Sequence, residues 1–157
     1  MKVLPTTRSC FVCGQSNPIG MRLRLETDGK IVRSELMLRP EHVGLKNTVH
    51  GGIVSTVLDE MMAWACAVQT KQLAFCAELT VRFLQPVRPN EPIVATGELV
   101  NNRRNKIFEV KAELKDRNGA ILATGFGKYL PVKGAEAAAM ATDLVGEPEE
   151  RQIIQSP

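Results

Sequence analysis

Aromatic residues make up only 4 % of this chain, and its 20 Lys and Arg are interleaved with 17 Asp and Glu. Basic patches studded with aromatics are therefore missing, and with them the stacking-plus-phosphate signature of nucleic-acid binding. No uninterrupted apolar run approaches the length needed to cross a bilayer, and Met1 to Cys10 holds no apolar stretch of the secretory kind. Neither nucleic acid nor membrane is expected as a partner. Cysteines are few, four in 157 residues, and two of them, Cys66 and Cys76, lie inside hydrophobic segments. That usage predicts reduced thiols and a cytoplasmic setting rather than a disulfide framework. Internal repeats and low-complexity segments are also missing. The length suits one domain with a proper core, and the net charge of +3 is that of an ordinary solvated surface, compatible with an anionic small molecule.

What is present is a run of alternating segments joined by tight turns. Met21 to Glu26 alternates and predicts a strand; Asp28-Gly29 is a hairpin signal, and Ile31 to Leu38 is the partner strand. Glu78 to Phe83 alternates again until Pro86, Pro89 and Pro92 break the pattern. Ile93 to Val100 predicts a further strand, and Asn101 to Asn105 a polar turn. Phe108 to Lys115 is apolar on one face and charged on the other, and Asn118-Gly119 turns it back into Ile121 to Leu130. Hairpin connections imply an antiparallel sheet of about six strands.

Between the second and third strands lies an apolar segment, from about Gly51 to about Val68, that predicts one long helix. At about 100° per residue, Ile53, Val57, Met61 and Trp64 share one face, and Ser55, Asp59, Met62, Ala63 and Cys66 lie roughly opposite. A helix apolar nearly all round needs cover nearly all round. A curled sheet covers one side, and a second subunit is the economical cover for the other. The expected architecture is α+β, a sheet wrapped around a central helix, in a homodimer or a dimer of dimers. The expected division is a turn-rich segment over 1–20, the domain over 21–132 and a loosely attached tail over 133–157, with a short alanine-rich helix near Ala135 to Ala141.

The chemistry concentrates where that helix begins. His50-Gly51-Gly52 precedes it, and Asp59 follows nine residues after the histidine. A helix N-terminus offers free N–H groups and positive dipole to a developing oxyanion. Asp59, more than two turns along, is too distant to serve that first turn and predicts action on a ligand held by another part of the molecule. Glu60 is the rival carboxylate, pointing about 100° away, towards the Ile53/Val57/Trp64 face.

The order strand–strand–His-Gly-Gly–helix–four strands, with Asp59 at this spacing and the following run Glu78-Leu79-Thr80-Val81-Arg82-Phe83-Leu84-Gln85-Pro86-Val87, resembles the hotdog-fold thioesterases, in particular the PaaI-type acyl-CoA thioesterases. The likeness runs from about Cys10 to Val132. It implies that the Gly51 N–H polarises a thioester carbonyl, that Asp59 of the neighbouring protomer acts as general base or nucleophile, and that His50 shapes the loop with Gly52 beside the substrate. A hydroxyl-bearing residue often holds the water early in the next strand; here Cys76 stands there. Some relatives also carry an Asn six residues before the histidine. Gly44 takes that position here, and Asn47 is the nearest candidate for a substrate contact. The implied substrate is an acyl-CoA, with no cofactor. Two other readings stay open: a non-catalytic acyl-CoA-binding protein of the same fold, and a hydratase or dehydratase of acyl thioesters.

Two further features invite chemistry. Arg103, Arg104 and Lys106, with Arg82 and Arg88, are candidates for the phosphates of coenzyme A. Cys10 and Cys13 form a Cys-x-x-Cys pair, but zinc wants four ligands, and no second half is evident among Cys66, Cys76, His42 and His50. The pair is therefore expected to be metal-free, packing a knuckle ahead of the first strand. Trp64, Met61 and Met62 read as core.

Overall fold

The computed structural model describes residues 1–152 and 154. Its elements are β1 (Lys2–Val3), β2 (Thr6–Thr7), β3 (Glu26–Thr27), β4 (Ile31–Met37), α1 (Gly51–Thr70), β5 (Ala74–Phe83), β6 (Pro92–Arg103), β7 (Ile107–Asp116), β8 (Ile121–Pro131), α2 (Gly134–Ala141), β9 (Leu144–Val145) and α3 (Pro148–Gln152). A seven-stranded antiparallel sheet runs in the order β1-β3-β4-β6-β7-β8-β5, and β2 pairs with β9 apart from it. The class is α+β, with α1 packed across β4 to β8.

Local chemistry accounts for α1. His50 caps its start, and Lys71 ends it in the left-handed conformation (φ 60°), donating its N–H to Ala67 O. Ser55, Thr56 and Thr70 turn their hydroxyls back onto the carbonyls four residues earlier, at 2.8–2.9 Å, so these polar side chains cost the helix no unpaired group. By length and apolarity α1 would pass for a membrane span, yet Val57, Leu58, Met61, Met62, Ala65 and Cys66 are fully enclosed by the sheet and the N-terminal segment. Each large apolar side chain so buried stabilises the fold by about 1.5–3 kcal/mol.

The sheet comes close to the helix at positions without side chains. A Cβ on Gly97 of β6 would lie 2.4 Å from Met61 O, and one on Gly125 of β8 would lie 3.1 Å from the Met62 side chain. Gly97→Ala is expected to lower unfolding stability by about 1–3 kcal/mol, read as a lower midpoint at unchanged slope in urea titration.

Three expectations are corrected. Met21 to Glu26 keeps its alternating burial, but only its last residue, Glu26, belongs to a strand. Arg22 takes a positive φ of 58°, and Met21 and Leu23 donate their N–H groups to Phe11 and Val12 carbonyls instead of a neighbouring strand. The residues before position 21 and after 132 return to the fold: β1 joins the main sheet, β9 pairs with β2, and Leu144 and Ile154 are buried. The tail is thus tied down by backbone pairing. Finally, Met62 and Cys66 are covered within the single chain, so the small-residue face of α1 does not by itself require a second subunit. Residues Ser55, Asp59 and Ala63 stay only partly covered.

An uncovered surface lies instead along β5. It is the last strand of the sheet, paired only with β8, and its outer edge is free among the described residues. Phe75, Phe83 and the following Leu84 are each more than half exposed, at 53 %, 57 % and 56 %. A free strand edge flanked by large apolar side chains is a template for pairing with another strand.

Candidate active site

The loop before α1 is held on both sides. Val49 donates to Val87 O, His50 to His42 O, and Gly44 to Thr48 O. Arg88 braces it further through Asn47 O (2.8 Å) and Thr48 Oγ1 (2.9 Å), which takes Arg88 away from phosphate binding. His50 then sits as the helix cap, its Nδ1 accepting the Gly52 N–H at 2.8 Å. A neutral ring held in this way carries its proton on Nε2. The His50 carbonyl accepts from Ile53 and Val54 at 2.9 and 3.2 Å. Of the first four helical N–H groups, Gly51's is the one with no acceptor among the described residues.

The two glycines have separate reasons. A Cβ on Gly52 would stand 3.0 Å from His50 Nδ1 and disturb the cap, while one on Gly51 would press the Phe83 ring at 3.3 Å. Gly51 therefore lets its backbone approach a cavity of about 640 Å³, lined by Leu45, Val54, Phe83, Leu84 and Pro86 along with the His50–Gly51 loop. Apolar walls with one convergent polar donor suit an acyl group whose carbonyl meets that N–H.

Asp59 stands elsewhere. Its Oδ1 accepts the hydroxyl of Tyr129 at 2.6 Å, and the same hydroxyl lies 3.3 Å from Asp59 O. Tyr129 is fully buried in β8; burial and the neighbouring carboxylate push its pKa far up, so it remains a donor that fixes the rotamer of Asp59. Gly127 makes room for the ring, since a Cβ there would fall 2.6 Å from Tyr129 Cε2. Cys76 pairs across the strands with Tyr129 and lies beside Asp59. Burial, then the Asp59 charge, raises the pKa of its thiol, and its Sγ–H points to Glu78 O at 3.5 Å. Cys76 is thus a neutral neighbour of the carboxylate, placed where the sequence put it. Tyr129 was missed; its signal was that the chain's one tyrosine occupies an apolar strand.

One chain does not bring these two halves together. Gly51 and Asp59 are eight residues apart, about 12 Å along the helix axis. Phe83, against Gly51, closes one end of β5, and Cys76, beside Asp59, lies near the other.

The remaining candidates divide. Asn47, in the left-handed region at φ 57°, serves the loop through its carbonyl. Arg82 is exposed on β5 and joins none of the ion pairs among the described residues. Arg103 is paired with Glu109 at 2.5 Å, and Arg104 stands exposed in the β6–β7 turn. Glu60 faces away from Asp59: its Oε1 accepts the Trp64 indole N–H at 2.9 Å, and Cys10 Sγ lies 3.6 Å from the same oxygen.

Comparison with known proteins places this fold. The thioesterase superfamily profile matches residues 46–123, which hold the capped loop, α1 and β5 to β7. A Caenorhabditis elegans protein named "Putative esterase" is 28 % identical over 100 residues, 63 % of this chain and 59 % of that one, so the chain spans less than two thirds of that relative. Among solved structures, the PaaI protein of the E. coli phenylacetic acid degradation operon superposes with a TM-score of 0.66 at 18 % identity, covering 73 % of this chain and 82 % of that one. A Streptococcus mutans protein bound to acetyl CoA superposes with a TM-score of 0.66 at 13 % identity, covering 75 % and 94 %. With its sheet wrapped around α1 and its matched core, the chain belongs to the thioesterase superfamily and has the hotdog fold.

Proposed function

We propose that the protein hydrolyses acyl-CoA thioesters at two sites, each shared between the protomers of a homodimer. The observation that carries this reading is the Gly51 N–H, which has no acceptor among the described residues and stands at the positive end of α1 in the lining of an apolar cavity of about 640 Å³. The register of β5 supports the shared site. Antiparallel pairing of two β5 edges about a two-fold axis sets the Phe83 end of one chain beside the Cys76 end of the other. Gly51 of one protomer then approaches Asp59 of its partner.

In that arrangement the thioester oxygen accepts the Gly51 N–H while the acyl chain enters the cavity. Asp59, held by Tyr129, takes a proton from water as the water oxygen adds to the carbonyl carbon. Collapse of the tetrahedral intermediate breaks the C–S bond, and the departing thiolate recovers a proton. Direct attack by Asp59 would give an anhydride at the same place, so the geometry accommodates either role. Of the basic candidates, Arg82, Arg104 and Lys106 are exposed and outside the ion pairs of the described residues, and would meet the coenzyme A phosphates.

The test combines turnover with association. A panel of short, medium, long and aryl acyl-CoAs, assayed by release of free thiol, should identify a hydrolysed class, and sedimentation at assay concentration should show a dimer or larger assembly. Full activity in a monomer would end the shared-site reading. Tight acyl-CoA binding with no thiol release across the panel would leave a binding protein, and hydration of an enoyl thioester would replace hydrolysis.

A further inference from the structure

The Cys-x-x-Cys knuckle meets α1 at a point the proposed chemistry does not use. Cys10 Sγ, Cys13 Sγ and a Glu60 carboxylate oxygen all lie within 4.8 Å of one another. Glu60 is the third donor that the sequence pattern of Cys and His did not reveal, because fifty residues separate it from Cys10.

The cluster is arranged before any ligand arrives. Cys10 Sγ accepts the backbone N–H groups of Val12 (3.2 Å) and Cys13 (3.4 Å), bonds that favour a thiolate. Gly14 donates to Cys10 O at 3.0 Å, and a Cβ on Gly14 would fall 2.4 Å from that oxygen, so the turn needs glycine. Phe11 and Val12 carbonyls are tied to Met21 and Leu23 at 2.8 and 2.9 Å, which fastens the knuckle from behind. The Trp64 indole fixes Oε1 of Glu60, and Oε2 lies 3.7 Å from Cys10 Sγ.

Charge and distance both point to a cation. Three groups that ionise to anions converge, yet none of the ion pairs among the described residues includes Glu60. A divalent ion supplies the positive charge that this convergence lacks among the described residues. Zinc–sulfur and zinc–oxygen bonds of about 2.3 and 2.1 Å at a tetrahedral angle set the two ligand atoms about 3.6 Å apart. Cys10 Sγ stands 3.6 and 3.7 Å from the two Glu60 oxygens.

We propose that Cys10, Cys13 and Glu60 bind one borderline-soft divalent cation of the zinc class, pinning the N-terminal knuckle to the middle of α1. Two thiolates and a carboxylate select such an ion over magnesium or calcium, and water completes the tetrahedron beside the half-buried Cys10. This expectation replaces that of a metal-free pair, which counted two donors.

Cobalt(II) supplies the test. The full chain, reduced and stripped with chelator, should bind about one equivalent of Co²⁺, with thiolate-to-cobalt charge transfer in the near ultraviolet and tetrahedral bands in the visible. One equivalent of Zn²⁺ should bleach both. Cys13→Ser should remove most of the charge-transfer band. Glu60→Gln retains an acceptor for Trp64 but loses the anionic ligand, and should weaken Co²⁺ binding by about tenfold or more. A fully reduced wild-type chain without these bands would overturn the site, as would Co²⁺ binding to Glu60→Gln as tight as to wild type. Closure of a Cys10–Cys13 disulfide under mild oxidant, in a reduced chain that takes up no metal, would make the knuckle a redox pair instead.

Discussion

Asp59→Asn is expected to lower kcat for any hydrolysed acyl-CoA by about 10²–10⁴ while changing substrate binding far less. The amide keeps the volume of the carboxylate, and its Oδ1 can still accept the Tyr129 hydroxyl that now lies 2.6 Å from Asp59 Oδ1. Rotamer and packing are thus preserved, and what disappears is the base. Glu60→Gln is the matched control. Its side chain faces Trp64 and Cys10, on the other side of α1, so kcat should change much less. A near-normal Asp59→Asn beside a Glu60→Gln that is inactive yet keeps the wild-type unfolding midpoint would reverse the assignment. If both variants turn over a demonstrated substrate at the wild-type rate, the hydrolytic mechanism built on Asp59 fails.

Gly51→Pro isolates the other half of the site. Position 51 is the first residue of α1, where proline is tolerated because its missing N–H breaks no helical bond. The residue before it, His50, already has φ −59° and ψ 133°, the extended region that a following proline requires. The substitution therefore deletes one donor and little else, apart from pressing a carbon towards Phe83. Gly51→Ala brings the same Cβ, at 3.3 Å from the Phe83 ring, and keeps the N–H. Gly51→Pro should lose about 10²–10³ in kcat, the scale of one oxyanion donor, while Gly51→Ala stays close to wild type. Equal losses in both variants would trace the effect to crowding against Phe83 and remove the N–H from the mechanism.

Local chemistry made much of this fold legible. Asp28-Gly29 and Asn118-Gly119 marked their hairpins, with φ of 97° and 85° at the glycines, and the apolar run from Gly51 delivered α1. The strands on either side of the β6–β7 turn outrun their apolar alternation, because backbone pairing continues through polar residues as far as Arg103 and Ile107. The two-residue strands β1, β2 and β9 carry too little pattern to read at all. Within the site, His50, Gly51 and Asp59 stood out because a capped glycine turn and a carboxylate on an apolar helix are local anomalies. Tyr129 did not, nor did the pairing of Cys10 with Glu60, because Tyr129 lies 70 residues from Asp59 and Cys10 lies 50 from Glu60, and only the fold brings them near.

Gly51 and Asp59 share a helix but, in the proposed dimer, serve different sites. Activity would then be inherited by the pair rather than by the chain. A copy that lacks the Gly51 donor still offers its partner a sound Asp59, and a copy that lacks Asp59 still offers a sound Gly51. Two such defective alleles would complement each other in trans, whereas two copies of the same allele would not. In that dimer, selection on the two ends of α1 would act across the subunit boundary, and the β5 edge would be the element through which one gene copy masks the failure of another.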